Sequence, residues 1–555
     1  MTKYFSVSKI IILAIIVLAF ILRFNKLGQV PLSLNWDETS NAYNAYSILK
    51  TGRDEYGKLL PLYNRSFDDY KPPLYMYLNV PTVAVFGLTS FAARVPSAFF
   101  GFLTVLLIYF LTKKLFESTD SSLTTHHSPP KNIALLAMLM LAISPWHLQF
   151  SRVGFEANIG LFFLVASFTC LISALKFRAN TASTKQKLSL IASGLFIGLS
   201  FYTYHTERIL TPLLLLITLI IFKREFLLFT KKYIVFFFSL IIITVLPLLI
   251  LTPKDLILKR FESTINTSRV ENLKKSVDYI GQDQKEELPL PKIIHNRRVI
   301  IAQSMLKNYL ASFDLNFLFL KGDDNPRHHI ENMGMLYSLE LPLILAGLYL
   351  LLKNPNRQKM LILLWLIASP VAAATTSPSP HAVRALPMVI PLTIISSYSI
   401  SNLLSKFAGR NMLIMPVFLL VIFISVAVYL ENYWNHYPNQ SAQYWQYGNF
   451  QAVIESEKFR DQFKKINVSG NFEQAYIFWL FASKYNPATY QKVGSKEHFD
   501  NFFFNQGPPE DPEELYVNFS DNLPGNFKIL KTIPLENGQI ITFGRPKTLE
   551  ELLQL

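Results

Sequence analysis

Apolar runs recur along the chain at about the length that crosses a hydrocarbon core, roughly 20 residues. "IIILAIIVLAFIL" (10–22), "LLLLITLIIF" (213–222), "YIVFFFSLIIITVLPLLIL" (233–251) and "MLIMPVFLLVIFISVAVYL" (412–430) are examples. Their recurrence predicts a polytopic helical membrane protein. Composition agrees, with 51% hydrophobic and only 16% charged residues. The first run is flanked by Lys3 and Lys9, as a signal peptide would be, but "RFNKLGQVPL" after it holds no small-residue cleavage site. It reads as a retained span.

The net charge of +15 comes from 53 Lys and Arg against 38 Asp and Glu. In a soluble chain this would suggest nucleic acid. Here the excess gathers in short loops between apolar runs, the pattern of cytoplasmic loops, so no nucleic-acid partner is expected. Five loops carry it: Lys113, Lys114 and Lys131; Lys176, Arg178, Lys185 and Lys187; Lys223, Arg224, Lys231 and Lys232; Lys353, Arg357 and Lys359; Lys406 and Arg410. Setting all five inside leaves spans near 10–22, 93–112, 132–147, 158–175, 188–203, 209–222, 233–251, 335–352, 360–374, 385–404 and 411–430, about eleven crossings. The N-terminus is then cytoplasmic. The single Cys170 excludes an intrachain disulfide and a Cys-rich metal site.

"PPLYMYLNVPTVAVFGL" (72–88) is apolar but short and holds Pro72, Pro73 and Pro81. A crossing there would turn every later basic loop outward, so it is expected as an interfacial helix. The expected fold is a polytopic α-helical membrane protein with outer interfacial helices and a small C-terminal α/β domain. Residues 1–430 form the membrane-embedded domain, with long outer loops at 23–92 and 252–334. Within the second loop, "IIAQSMLKNYLASF" has helical spacing and "KGDDNPRHH" is polar. Residues 431–555 form the extracytoplasmic domain: "INVSG" and "ELYVNFS" as strands, "NFEQAYIFWLFASKY" as a helix, and a hairpin turning at Asn537-Gly538. That domain carries no chemical motif.

The outer loops share a polar pattern. Arg152 has His147 and Glu156 nearby in sequence, Arg208 has His205 and Glu207, and Arg384 has His381. One arginine at a span end is explained by snorkelling or an ion pair. Three, each beside a histidine, point to a shared anionic ligand, because arginine grips phosphate with paired N–H donors. The first outer loop supplies carboxylates: Asp37 and Glu38 at the start of "TSNAYNAYSILK", then Asp68 and Asp69 beside Lys71. Helix capping accounts for one of the first pair better than for both. Carboxylates opposite arginines suggest a base that activates a hydroxyl or amine while cations hold a phosphate leaving group.

Three readings remain from the residues: a transferase acting on a lipid phosphate, a transporter or flippase of a lipid-linked anionic substrate, and a structural or receptor protein displaying its tail. The span centres carry almost no charge and the ionisable residues gather at one face. That favours interfacial chemistry over transport. The receptor reading leaves the first outer loop unexplained.

"NWDETSNAYNAYSILKTG", "YKPPLYMYLNVPTVAVFGLTSFAARVPSAFFGFLTVLLIYFLTKKLF" and "SPWHLQFSRVGFEANIG" follow one another over roughly the first 220 residues. Together they resemble the C-type, membrane-integral glycosyltransferases, and more narrowly the protein mannosyltransferase and aminoarabinose transferase group. The resemblance implies a polyprenyl-phosphate sugar donor and a protein, glycolipid or polymer acceptor, met at the bilayer. It implies Asp37 as the catalytic, acceptor-activating carboxylate with Glu38 as its partner, and Glu156 as the acidic residue of the second outer loop. Lys71, Arg208 and Arg384 fall where donor-phosphate contacts are expected, with Arg152 a further candidate. Asp69, Tyr75, His205, His381, Asp323, Arg327 and His328 are candidates to line the same site. The aminoarabinose branch tends to place a metal-associated Glu before the lysine, and Tyr70 stands there, so no metal site is carried over. A divalent metal is left open, with no other cofactor expected. The mechanism implied is a single displacement that inverts the anomeric carbon.

Overall fold

The computed structural model describes residues 2–67, 69–117, 129–176, 182–251, 254–287, 289–407 and 414–553. Asp68, Arg178, Arg410 and the first residues of the span drawn at 411–430 lie outside them. The chain forms two compact units, residues 1–25 with 97–430 and residues 26–96 with 431–555.

Every span drawn from the sequence overlaps a helix, from Thr2–Phe24 to Ile414–Glu431. Among the described residues, five helices are long and apolar enough to cross a membrane, or up to six if one bent pair is a single span. That pair overlaps the span drawn at 132–147 and is bent. Helices Pro130–Ile143 and Pro145–Arg152 meet at 56°. The cause is Pro145, which offers no N–H and drives the residue before it out of the helical region. Ser144 accordingly has ψ 124°. Pro370 makes no such break: Ser369 before it stays helical, and Arg357–Ala374 counts as one apolar span. The helix Thr184–Ser200 packs on both Glu156–Ala174 and Lys231–Leu251. Gly198 permits one of these approaches, because a Cβ there would lie 1.7 Å from Thr244 Oγ1. Small residues at such crossings let helix backbones come close where lipid offers no hydrophobic drive.

The segment 252–334 holds more structure than its sequence pattern suggests. The expected helix forms as Arg297–Ala311, capped by Asn296, whose side chain accepts from the Arg298 and Val299 N–H groups. A 32-residue helix, Lys254–Lys285, precedes it. Its polar sequence gives no apolar stripe from which to read it.

In the other unit a six-stranded mixed sheet runs in the order His498–Phe499, Phe502–Gln506, Lys465–Ser469, Glu514–Asn518, Ile540–Pro546, Phe527–Pro534. Lys465–Ser469 pairs in parallel with both its neighbours. The last two strands form the hairpin expected at Asn537-Gly538, with Gly538 at φ 80°, a conformation that suits glycine. The helix Ala475–Ala482 is apolar on every side, and Ala475 through Phe481 are all buried. An element hydrophobic all round needs cover all round. Part of that cover is the helix Trp36–Thr51. Its Ala42, Tyr43 and Ala45 share one core with Ile477, Trp479, Tyr490 and Phe543. Polar ties fix the contact: Tyr43 Oη donates to Tyr485 O at 3.1 Å, and Gln491 Nε2 to Ser47 Oγ at 2.9 Å. The segment expected as the first outer loop therefore folds as one body with residues 431–555.

Candidate active site

The helix Trp36–Thr51 starts at Asn35. Asn35 Oδ1 accepts from the Asp37 and Glu38 N–H groups at 2.8 and 3.0 Å, and Glu38 Oε2 accepts from the Asn35 N–H at 3.0 Å. This reciprocal capping box satisfies donors that a helix start otherwise leaves unpaired. Gly52 ends the helix in the left-handed region at φ 70°. The box places the two neighbouring carboxylates differently. Glu38 points inward and is fully buried, and Arg94 Nε donates to its Oε1 at 3.0 Å. Arg94, also fully buried, has its remaining donors on backbone carbonyls, with Nη1 on Leu27 O and Pro31 O and Nη2 on Ser33 O. Asp37 points the other way, with its side chain 27% exposed and Oδ1 in ion-pair contact with Lys71 Nζ.

A two-stranded ribbon delivers that lysine. Asn64–Ser66 pairs with Asp69–Lys71, Asn64 opposite Lys71, and Asn64 Nδ2 donates to Asn41 Oδ1 at 2.8 Å. The ribbon is thereby tied to the helix that carries Asp37. Pro72 and Pro73 follow and the helix Leu74–Phe86 begins. Tyr75 is buried and donates to Ala93 O at 2.9 Å, a scaffold contact. Asp69 sits in the ribbon, half-buried, facing Ser66 across the pair. Tyr70, where a metal-associated carboxylate would stand, packs edge-on against Tyr63 and offers no carboxylate.

The predicted arginines of the other unit divide into two kinds. Arg152 is fully buried, and its Nη1 donates to Leu22 O at 2.8 Å and Arg23 O at 3.2 Å. It closes the carbonyl end of the first helix. Arg23, which the sequence reading passed over, is equally buried and donates to Ala19 O, Leu141 O, Ala142 O and His147 Nδ1. Arg208 and Arg384 are half-buried. Arg208 Nε donates to Phe201 O at 3.1 Å, with Nη1 3.4 Å from His205 Nδ1. Arg384 Nη1 donates to Thr376 Oγ1 at 2.8 Å and reaches the Ser377 and Pro378 carbonyls at 3.3 Å. Glu156 is buried at the first turn of Glu156–Ala174, where the helix dipole favours a carboxylate.

Asp323, His328 and His381 come together. His328 Nδ1 lies 2.9 Å from Asp323 Oδ2, and the two imidazole centroids are 5.1 Å apart. Burial first, then the His328 and Arg384 charges, push His381 down to about 3, so it is neutral at ordinary pH. Burial also lowers His328, against the pull of Asp323. For Asp323, burial raises the carboxyl, but the two histidines and the Ala382 N–H outweigh it and hold it below the ordinary range. Arg327 is half-buried beside this group, with its carbonyl accepting from Gln149 Nε2 at 2.6 Å.

Arg94, which pairs with Glu38, and Arg23, which packs against His147, were passed over by the sequence reading. Arg94 stands in the "AARVPS" stretch, where it reads as one more helix-end arginine. Only its geometry links it to Glu38.

Residues 70–250 match the family described as dolichyl-phosphate-mannose-protein mannosyltransferase. An uncharacterized protein of Aquifex aeolicus is 38% identical over 88 residues, 16% of this chain and 20% of that one. The chain thus aligns with about a fifth of that curated relative's length. ArnT of Cupriavidus metallidurans, in a crystal structure bound to undecaprenyl phosphate, is similar in fold with a TM-score of 0.56 at 13% identity, over 96% of this chain and 97% of that one. The Archaeoglobus fulgidus oligosaccharyltransferase, in a complex with Zn and sulfate, gives 0.52 at 16% identity, over 85% of this chain and 61% of that one. AglB of the same organism, with an inhibitory peptide and a dolichol-phosphate, gives 0.51 at 15%, over 87% and 64%. The chain shares the fold of these membrane-integral glycosyltransferase structures, and residues 70–250 carry the family match.

Proposed function

We propose that the chain transfers a sugar from a polyprenyl-phosphate donor to an acceptor at the outer face of the membrane. The observation that carries this reading is the division of labour at the start of Trp36–Thr51. Glu38 is locked into the cap and the Arg94 pair, while Asp37 stays partly exposed beside Lys71. A carboxylate left accessible on a rigid support is the arrangement a general base needs. The family match over 70–250 and the lipid phosphates bound by ArnT and AglB support the donor class.

In the proposed step Asp37 takes the proton of an acceptor hydroxyl or amine. The freed lone pair bonds to the anomeric carbon, the bond from that carbon to the phosphate oxygen breaks, and polyprenyl phosphate leaves with that electron pair. One displacement inverts the carbon. Lys71, Arg208 and Arg384 are assigned to the phosphate, because charge-assisted N–H donors favour the negative charge that grows on the leaving oxygen. Glu156 is assigned to orienting the acceptor. Glu38 is assigned to positioning Asp37, and Arg152 to the scaffold. The acceptor class is a protein, glycolipid or surface polymer. The reading includes about eleven spans, a cytoplasmic N-terminus and an external C-terminal domain, which a C-terminal reporter tests.

The defining experiment supplies purified full-length protein with radiolabelled polyprenyl-phosphate sugars and membrane extract. Label should pass to an acceptor with release of polyprenyl phosphate. Failure with every hexosyl and pentosyl donor, in folded protein, would sink the reading.

A further inference from the structure

The structure points to a binding site for a divalent transition metal of the zinc class at Asp323, His328 and His381. The three ligand atoms lie within 4.8 Å of one another. In a tetrahedral site with bonds of ~2.0–2.2 Å, neighbouring ligand atoms sit about 3.3 Å apart. The His328–Asp323 separation of 2.9 Å is already near that.

A second observation points to a ligand. Nδ1 of His381 is buried and without a hydrogen-bond partner among the described residues, while Nδ1 of His328 meets the Asp323 carboxylate. His328 is only 3% exposed. A buried ring nitrogen without a partner costs about 1–3 kcal/mol unless something fills its lone pair. For neutral imidazoles a metal ion does so.

The surroundings hold the set in place. Asp323 Oδ1 accepts from the Asn325 N–H at 2.8 Å, and Oδ2 from the Ala382 N–H. Ala382 O in turn accepts from Trp146 Nε1 at 3.1 Å. Such outer bonds orient metal ligands. Phe150 and Phe155 pack their rings 5.7 and 5.6 Å from His328, a dry wall on that side. Two nitrogens and one oxygen suit zinc and its neighbours, whereas calcium and magnesium take oxygen shells. Three protein ligands leave one position open for water or an anionic oxygen. The site joins the 321–330 segment to the turn ahead of Ala382–Ala385.

This assignment does not rest on the transfer reading, and its test needs no turnover. Full-length protein in detergent is stripped with a chelator, dialysed against zinc chloride, freed of excess metal and assayed by elemental analysis. Wild type should hold about one zinc per chain, and the Asp323→Asn/His381→Gln variant less than about a tenth of that. Cobalt(II) loading of wild type should give the visible bands of a low-coordinate nitrogen–oxygen site, a readout that needs no variant to fold. Wild type retaining no more zinc than the double variant, or giving only the spectrum of aqueous cobalt, would overturn the site and leave the transferase proposal standing.

Discussion

The start of Trp36–Thr51 and the carbonyl end of Thr2–Phe24 both gather buried charge, and they use it differently. At the first, Arg94 meets a carboxylate, and the Glu38 pair closes with hydrogen bonds on every side. At the second, Arg23 and Arg152 meet backbone carbonyls of their own and neighbouring helices. Both are scaffold. What differs is what each leaves over. The carboxylate cap leaves a second acid, Asp37, facing out beside Lys71. Fully buried Arg23 and Arg152 have no open face for a ligand, while Arg208 and Arg384 remain half-buried. Residue type alone does not separate these arginines, whereas burial does.

The largest effect that would break this comparison is at the buried pair. Glu38→Ala or Arg94→Ala leaves the partner charged and unpaired, and each should cost about 3–5 kcal/mol. Thermal melts and expression yield would report it. The double variant Glu38→Leu/Arg94→Met should recover part of the loss, which a scaffold role requires.

Next comes Glu55, buried in the same unit with Oε1 accepting from Asn44 Nδ2 at 3.1 Å and Oε2 without a partner among the described residues. Burial pushes it up to about 8, against the Asn44 bond. The folded chain then keeps this proton where the unfolded chain has lost it. Its contribution is fully present below the ordinary pKa of about 4.5 and is lost as pH rises through about 8. Glu55→Gln should flatten the fall in melting temperature over that window and stabilise at the alkaline end, by on the order of 2–4 kcal/mol.

Smaller again, Arg152→Ala should cost about 1–3 kcal/mol through the Leu22 and Arg23 carbonyls it leaves bare. If Arg152 held the donor phosphate instead, the same variant would lose transfer while its melt stayed unchanged.

Much of this was legible in the sequence. Apolar runs located the helices, and Asn537-Gly538 marked its hairpin, because hydrophobic length and turn chemistry are local properties. The pairing of Asp37 with Glu38 could be read as cap or chemistry, and only side-chain direction puts Glu38 in the cap and leaves Asp37 partly exposed. The bend at Pro145 was visible as a proline and was overridden by the apolar run around it. The Lys254–Lys285 helix has no apolar stripe. The core shared by the first outer segment and the C-terminal sheet joins residues 442 apart, such as Tyr43 and Tyr485, and no local pattern announces such a contact. The Asp323, His328 and His381 group was legible as residues but not as a cluster, since His381 lies far along the chain in another loop.

The central claim is that Asp37 is the base and Glu38 its support. It is tested most directly by single-turnover transfer from radiolabelled polyprenyl-phosphate sugar in Asp37→Asn. The account predicts transfer down by ~100-fold or more, with the melting temperature within a degree or two of wild type. Wild-type transfer by that variant, with the same donor and acceptor, would contradict it.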